Sequence, residues 1–149
     1  DIALLQYFIG QYPNKIVSEG AAFITKNVHD TTITSLKYSN GVMCHIFVSW
    51  LHPYKEHKFI IIGSDGMISF EDSSKDKSIV YYDKKVDVIT TDFTGVSEDN
   101  KLIKYEKSLA LDNQLIYFLR TINDAKIEKI NGDDAVNVVR ILEEASNNL

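Results

Sequence analysis

Arginine is nearly missing from this sequence, with Arg120 and Arg140 the only two. A net charge of −5 and scattered lysines leave no concentrated basic face. Binding to a phosphate backbone needs such a face, so nucleic acid is excluded as a partner. Lys75, Lys77, Lys84 and Lys85 lie among aspartates and read as solvated turn residues. Cysteine is limited to Cys44. No intrachain disulfide can form, and a cytoplasmic protein is the expectation. Cys44 sits inside a strand-like run and reads as a small buried apolar residue rather than a nucleophile. No apolar run approaches the ~20 residues that span a bilayer, so no membrane partner is expected. The opening residues lack the basic-then-apolar order of a secretory signal. The seven glycines are isolated, which removes both common phosphate-binding loops. No nucleophile elbow, HExxH or CxxC is present. The four histidines do not converge with Cys44, because alternation along a strand sends Cys44 and His45 to opposite faces. No metal site is expected.

What remains is a chain of 149 residues, 44% hydrophobic and 25% charged, enough for one soluble domain over residues 1–149. Ile2, Leu5 and Ile9, widened by Leu4 and Phe8, recur at helical spacing. Gly10 and Pro13 end that helix. A helix beginning at residue 1 has no approach segment, so the sequence reads as a piece of a longer protein.

The pattern then changes to period two. Val17, Ala21 and Phe23 alternate in one run, and Thr32, Thr34, Leu36 and Tyr38 in the next. Asn40-Gly41 marks a hairpin. The following strand carries Val42, Cys44, Ile46, Val48 and Trp50 on one face and Met43, His45, Phe47, Ser49 and Leu51 on the other. His45 reads as a half-buried core residue and His29 as a turn residue. A second hairpin is marked by Gly63 to Gly66. "SIVYYD" and "VDVITT" around "DKK" predict a third, "DFTGVSEDNKL" a long loop, and "LIKYEKS" a last strand. Seven or eight strands joined by tight turns imply a largely antiparallel sheet. Two helices close the chain. The first carries the stripe Leu111, Leu115, Phe118, Leu119 and Ile122. The second carries Ala135, Val138, Val139, Leu142 and Ala145, with Asn131 as N-cap and Asp133 and Asp134 opposing its dipole. The fold class is α+β, an open sheet with helices on one face. The two apolar faces of the Met43–Leu51 strand need cover on both sides, which predicts a partner subunit or a further domain.

The stretch "SWLHPYKEH", residues 49–57, places the only Trp and two of the four His in one connection. Pro53 ends the strand. Trp50 and Tyr54 bring large rings with polar handles, and His52 and Lys55 bring donors suited to sugar hydroxyls or a diphosphate. In the plainer reading Trp50 is core, Pro53 shapes the turn, and Lys55-Glu56 is a solvated pair.

"SNGVMCHIFVSWLHPYKEHKFIIIGSDGMISFED" resembles the C-terminal domain of the glucose-fructose oxidoreductase / inositol dehydrogenase (Gfo/Idh/MocA) family, a dihydrodipicolinate-reductase-like domain. It is most similar to members that oxidise nucleotide-linked amino sugars at C3. The tail "LDNQLIYFLRTINDAKIEKINGDDAVNVVRILEEASNNL" resembles the family's closing helix, gap and helix. The resemblance implies an NAD(P)-dependent oxidoreductase with an N-terminal Rossmann domain, which this chain lacks. It also implies a C-terminal sheet that meets a sugar or nucleotide-sugar substrate and neighbouring subunits, hence a homo-oligomer through the sheet face. Of the family's catalytic groups, the lysine of Glu-Lys-Pro belongs to the other domain. The histidine would immediately precede Asp1. No catalytic, cofactor-binding or metal residue is therefore expected here, and the chain alone is not expected to transfer hydride. The substrate-binding candidates are Trp50, His52 and Lys55. A free-standing ligand-binding or dimerisation module with the same sheet is the alternative.

Overall fold

The computed structural model describes residues 1–83, 100–124 and 131–149. They form the order α1 (Ile2–Ile9), β1 (Lys15–Ala21), β2 (Thr31–Lys37), β3 (Met43–Ser49), β4 (Lys58–Ile62), β5 (Met67–Glu71), β6 (Ile79–Tyr82), β7 (Asn100–Ile103), α2 (Ala110–Asp124) and α3 (Gly132–Asn147). Every strand pairing is antiparallel, as expected of an α+β chain with tight turns. Hydrogen bonding divides the strands into a three-stranded sheet, β1-β2-β3, and a four-stranded sheet, β4-β5-β6-β7. The chain correspondingly forms two compact units. One comprises Asp1–Leu51 with Ala110–Leu149, and the other His52–Leu109.

In the first unit α1 ends where Gly10 adopts φ 67° and its N–H reaches the Gln6 carbonyl, the left-handed C-cap that glycine makes without strain. The β2–β3 hairpin closes as Asn40-Gly41 predicts. Gly41 takes φ 87°, the Tyr38 N–H donates to Val42 O at 3.0 Å, and the Val42 N–H donates to Asn40 Oδ1. On β1 the buried residues are Ile16 and Ser18, so Val17 faces outward. Leu36 and Tyr38 are buried on and just after β2, the parity their spacing predicts. α3 packs on β1 and α1 packs on α3. The core is Leu5, Ile16, Leu36, Tyr38, Ile141 and Ala145. Leu36, fully buried, contributes about 2–3 kcal/mol by leaving water.

Three expectations need correction in this unit. The buried stripe of α3 runs through Ile141 and Ala145, with Val138 half-buried, while Val139 and Leu142 are exposed. The contact face is thus rotated by about one residue from the one read off periodicity. The apolar stripe of α2 is present, yet none of its residues is buried. Phe23 lies beyond the end of β1 and is exposed rather than continuing its alternation. The N-terminus of α3 is as anticipated. Asn131 Oδ1 accepts from Asp134 N, and Asp134 returns a carboxylate to Asn131 N, a reciprocal cap.

In the second unit Gly63 N donates to Gly66 O at 2.9 Å, closing the β4–β5 hairpin read from Gly63 to Gly66. The Tyr81 hydroxyl donates to Asp65 O across that turn. Its ring lies where a Cβ on Gly66 would come within 2.6 Å of the hydroxyl oxygen, so Gly66 is fixed by close approach. β6 pairs with β7. The predicted strand "VDVITT" and all but Asn100–Leu102 of the predicted loop lie outside the described residues. Among the described residues Ser69 is the sole buried residue of this unit.

Candidate functional site

The SWLHPYKEH stretch crosses the boundary between the two units, which falls between Leu51 and His52. Trp50 therefore belongs to the first unit, and His52 and Lys55 to the second.

In the first unit Asp30 organises the end of the three-stranded sheet. It is buried. Its carboxylate accepts from the Phe23 and Ile24 backbone N–H groups at 2.6 and 2.8 Å. Its own N–H donates to Ala21 O, and its carbonyl accepts from Trp50 N at 2.8 Å. One residue thus ties the β1–β2 loop to the end of β3. Hydrogen bonds to an ionised carboxylate are stronger than neutral ones, so the tie is a firm one. Packing adds to it. Gly20 lies under the His29 ring, where a Cβ would come within 2.9 Å of Cδ2. His29 lies in the β1–β2 loop.

This frame holds Trp50 outward. Its side chain is 82% exposed, which corrects the plainer expectation that it is core. An exposed indole face on a tethered backbone can stack on a sugar ring or a base. His45 is exposed as well, not half-buried. Cys44 is half-buried on the opposite face, and burial pushes its thiol above the ordinary value. A raised thiol is a poor nucleophile at neutral pH. The Tyr38 hydroxyl and Gln6 Nε2 are buried, neither with a hydrogen-bond partner of good geometry among the described residues, and burial raises the Tyr38 phenol against a lowering contact from Gln6.

In the second unit His52 stands edge-on to Tyr54, with ring centroids 5.3 Å apart, and its Nδ1 lies 3.8 Å from Glu56 Oε2. Lys55 is exposed. A few residues on, Asp72 is shared by Lys77 and His57. Lys77 Nζ donates to Asp72 Oδ1 at 2.7 Å, and His57 Nδ1 lies 3.4 Å from Oδ2. The backbone closes the same arrangement, since His57 N donates to Ser73 Oγ and Asp72 N to His57 O. The hydrogen bond from Lys77, then that from His57, holds the Asp72 carboxyl below its usual value. Asp72 in turn raises Lys77. Among the described residues no three His, Cys, Asp or Glu side chains gather as metal ligands.

The described helices offer no glycine-rich turn. Asp112 occupies the first turn of α2, and Asp133 and Asp134 that of α3, so acids already oppose the dipole ends where a pyrophosphate would bind. No described helix is long and apolar enough to cross a membrane.

Asp30 and Asp72 were not singled out by sequence reasoning. Asp30 directly precedes a threonine-rich strand, a position where a short acid can take loop amides. Asp72 becomes a partner of His57 only through β4–β5 pairing, which sets Lys58 opposite Glu71.

A three-stranded antiparallel sheet with α3 packed on β1 and α1 on α3, and a second antiparallel sheet of four strands, make up an α+β fold. The family model described as the GFO/IDH/MocA C-terminal domain matches residues 1–69 of this chain. UDP-N-acetylglucosamine 3-dehydrogenase GnnA from Acidithiobacillus ferrooxidans is similar over 100% of this chain and 44% of its own, with TM-score 0.83 at 15% identity. Aldose-aldose oxidoreductase from Caulobacter crescentus matches 99% of this chain and 42% of its own, with TM-score 0.74 at 11% identity. The WlbA dehydrogenase from Bordetella pertussis, solved with NADH and UDP-GlcNAcA, matches 98% and 40%, with TM-score 0.63 at 12% identity. The chain thus spans less than half the length of these structures. No curated protein matches its sequence.

Proposed function

We propose that this chain is the substrate-binding and oligomerisation domain of a cytoplasmic NAD(P)-dependent dehydrogenase acting on a sugar or nucleotide sugar. The observation that carries the reading is the fold likeness over the whole chain to enzymes of that kind, of which it spans 44% in the first case. NAD or NADP would be held by an N-terminal Rossmann domain, in keeping with the acids that occupy the first turns of α2 and α3 here. With the cofactor bound there, hydride would leave a sugar carbinol carbon while a base takes the hydroxyl proton. This chain contributes neither group. Its part is to present side chains to the sugar. Trp50 offers a stacking face. His52 and Lys55 offer donors, and Glu56 beside His52 favours neutral hydroxyls over a diphosphate by opposing further negative charge. Each of the three is proposed on its own exposure and chemistry.

The test uses Trp50 as the sole tryptophan reporter. Titration with UDP-N-acetylglucosamine is expected to change its fluorescence saturably, with NMR shifts at His52 and Lys55. No change in either signal at about 10 mM ligand, above the millimolar Kd that ~4 kcal/mol supports, would overturn the substrate-binding role.

A further inference from the structure

In the second unit β4 ends the four-stranded sheet as an apolar edge. The sheet order is β4-β5-β6-β7, so among the described residues no strand pairs with the outer side of β4. Phe59 is half-buried, and Ile60, Ile61 and Ile62 are 48%, 38% and 78% exposed. An open edge is a template for another strand, and proteins blunt it with proline, a bulge or a charge. Lys58 opens β4, but no charge or proline follows in the strand, and its register with β5 runs without a bulge. The hydrogen bonds at the two ends of β4 fix which backbone groups face outward. Asp72 N donates to His57 O and Gly63 N to Gly66 O, both at 2.9 Å. Bonded positions alternate along an antiparallel pair. With Phe59 opposite Phe70 and Ile61 opposite Ile68, Phe59 and Ile61 turn their N–H and C=O groups to β5. Lys58, Ile60 and Ile62 turn theirs to the open side.

We infer that this edge takes β4 of a second copy, antiparallel, with the two-fold axis at Ile60. The inference rests on the proposed role of the domain in joining copies, and it puts a contact on a strand edge. The Ile60 N–H and C=O then bond those of Ile60 in the second copy. Lys58 bonds Ile62 of the second copy in the same way, because both sit at outward positions. An axis one residue to either side would leave Ile62 or Lys58 without a partner inside the strand. On one face Ile60 meets its own copy, and the Lys58 stem covers Ile62 while its ammonium reaches water. On the other face Phe59 meets Ile61, an aromatic and β-branched pair of the kind that stabilises sheets. Beyond the strand, the same register brings Lys55 of one copy to the end that carries Asp65 of the other. A parallel pairing would instead set Lys58 beside Lys58 and Lys55 beside Lys55. Charge complementarity therefore selects the antiparallel arrangement. Main-chain bonds supply the affinity when a strand is added to an edge. β4 has only five residues, so the contact is small beside the ~800 Å² that each partner buries in a standard interface. The dimer population should accordingly rise across a concentration series.

The test is sedimentation of the 149-residue chain over such a series, with amide exchange measured at its two ends. The Lys58, Ile60 and Ile62 amides should exchange at least tenfold more slowly at the high end than at the low end. The Phe59 and Ile61 amides, bonded to β5, should be protected at both. Ile60→Pro removes the outward N–H at the axis and leaves the β4–β5 bonds in place. It is expected to raise the dimer midpoint at least tenfold. Lys55→Asp, which sets acid against acid, should raise it as well, and adding Asp65→Lys should restore it toward the wild-type value. Exchange at Phe59 and Ile61 in Ile60→Pro reports whether the hairpin is intact, and Ile60→Lys, which sets lysine against lysine, replaces that variant if it is not. A chain that stays monomeric throughout would overturn the inference together with the proposed oligomerisation role. Self-association without concentration-dependent protection at Ile60, or unaffected by its substitution, would overturn the strand-edge contact alone. Protection at Ile60 with no rescue by the charge swap would overturn this register.

Discussion

Asp30→Ala tests whether one buried carboxylate holds the β1–β2 loop and presents Trp50. The substitution removes both acceptors for Phe23 N and Ile24 N, at 2.6 and 2.8 Å. Hydrogen bonds to a charged group are each worth about 1.5–3 kcal/mol. Phe23 and Ile24 are exposed, so their freed amides can turn to water and recover part of that. The net loss is about 2 kcal/mol. The backbone bond from Trp50 N to Asp30 O is retained, so the strand end stays paired while the loop loosens. Asp30→Asn keeps an acceptor of the same shape without the charge, and about half the loss is expected. Two assays separate loop from fold. Amide exchange at Phe23 and Ile24 should quicken by an order of magnitude or more in Asp30→Ala, and exchange on β2 should not. Thermal unfolding by circular dichroism should shift down by about 10 °C for a cooperative unit of this size. An unchanged melting temperature together with unchanged exchange at Phe23 and Ile24 would refute the role given to Asp30.

Leu36→Ala empties the centre of the sheet-and-helix core and should destabilise the first unit by about 3 kcal/mol, read as a lower urea midpoint. Asp72 titrates below its usual value and Lys77 above its own. Their mutual stabilisation should therefore be complete from about pH 4 to about pH 10. It should be lost as acid protonates Asp72 through its depressed value, or as base deprotonates Lys77 through its raised one. An NMR titration of the Asp72 carboxyl should move back toward the ordinary carboxylate value in Lys77→Ala. The Cys44 thiol, raised by burial, should react with a disulfide reagent far more slowly in the folded chain than in urea at the same pH.

The strands were legible because turn chemistry marks their ends. Gly41 and Gly63 to Gly66 fix two hairpins, and the register follows from them. The N-terminus of α3 was legible in Asn131, Asp133 and Asp134, since a cap is a local device. Which side of an element is buried was less so. Periodicity placed the α3 stripe through Leu142, and packing against β1 and α1 buries Ile141 instead. Exposure of His45 and Trp50 was illegible for a related reason. Both lie in apolar runs, and whether such a run is core depends on cover that a single strand does not encode. The division of the strands into two sheets was hidden as well. The SWLHPYKEH connection reads the same whether the strands it joins pair with one another or separately. Of the candidate site, the residue types around Trp50 and His52 were visible. Asp30 and Asp72 act through partners brought near by folding, and local spacing carries no sign of such contacts.

The central claim is that these residues form the sugar-binding part of a dehydrogenase. The most direct test is to read the coding DNA on the 5′ side of the Asp1 codon and assay the full-length product with UDP-N-acetylglucosamine, following NAD(P)H absorbance. The account predicts a glycine-rich strand-turn-helix, a Glu-Lys-Pro motif and a histidine just before Asp1. It also predicts turnover by the full-length protein and none by residues 1–149 alone. A coding region without a dinucleotide-binding domain, or a full-length protein that reduces neither NAD nor NADP with any sugar or nucleotide sugar, would contradict it.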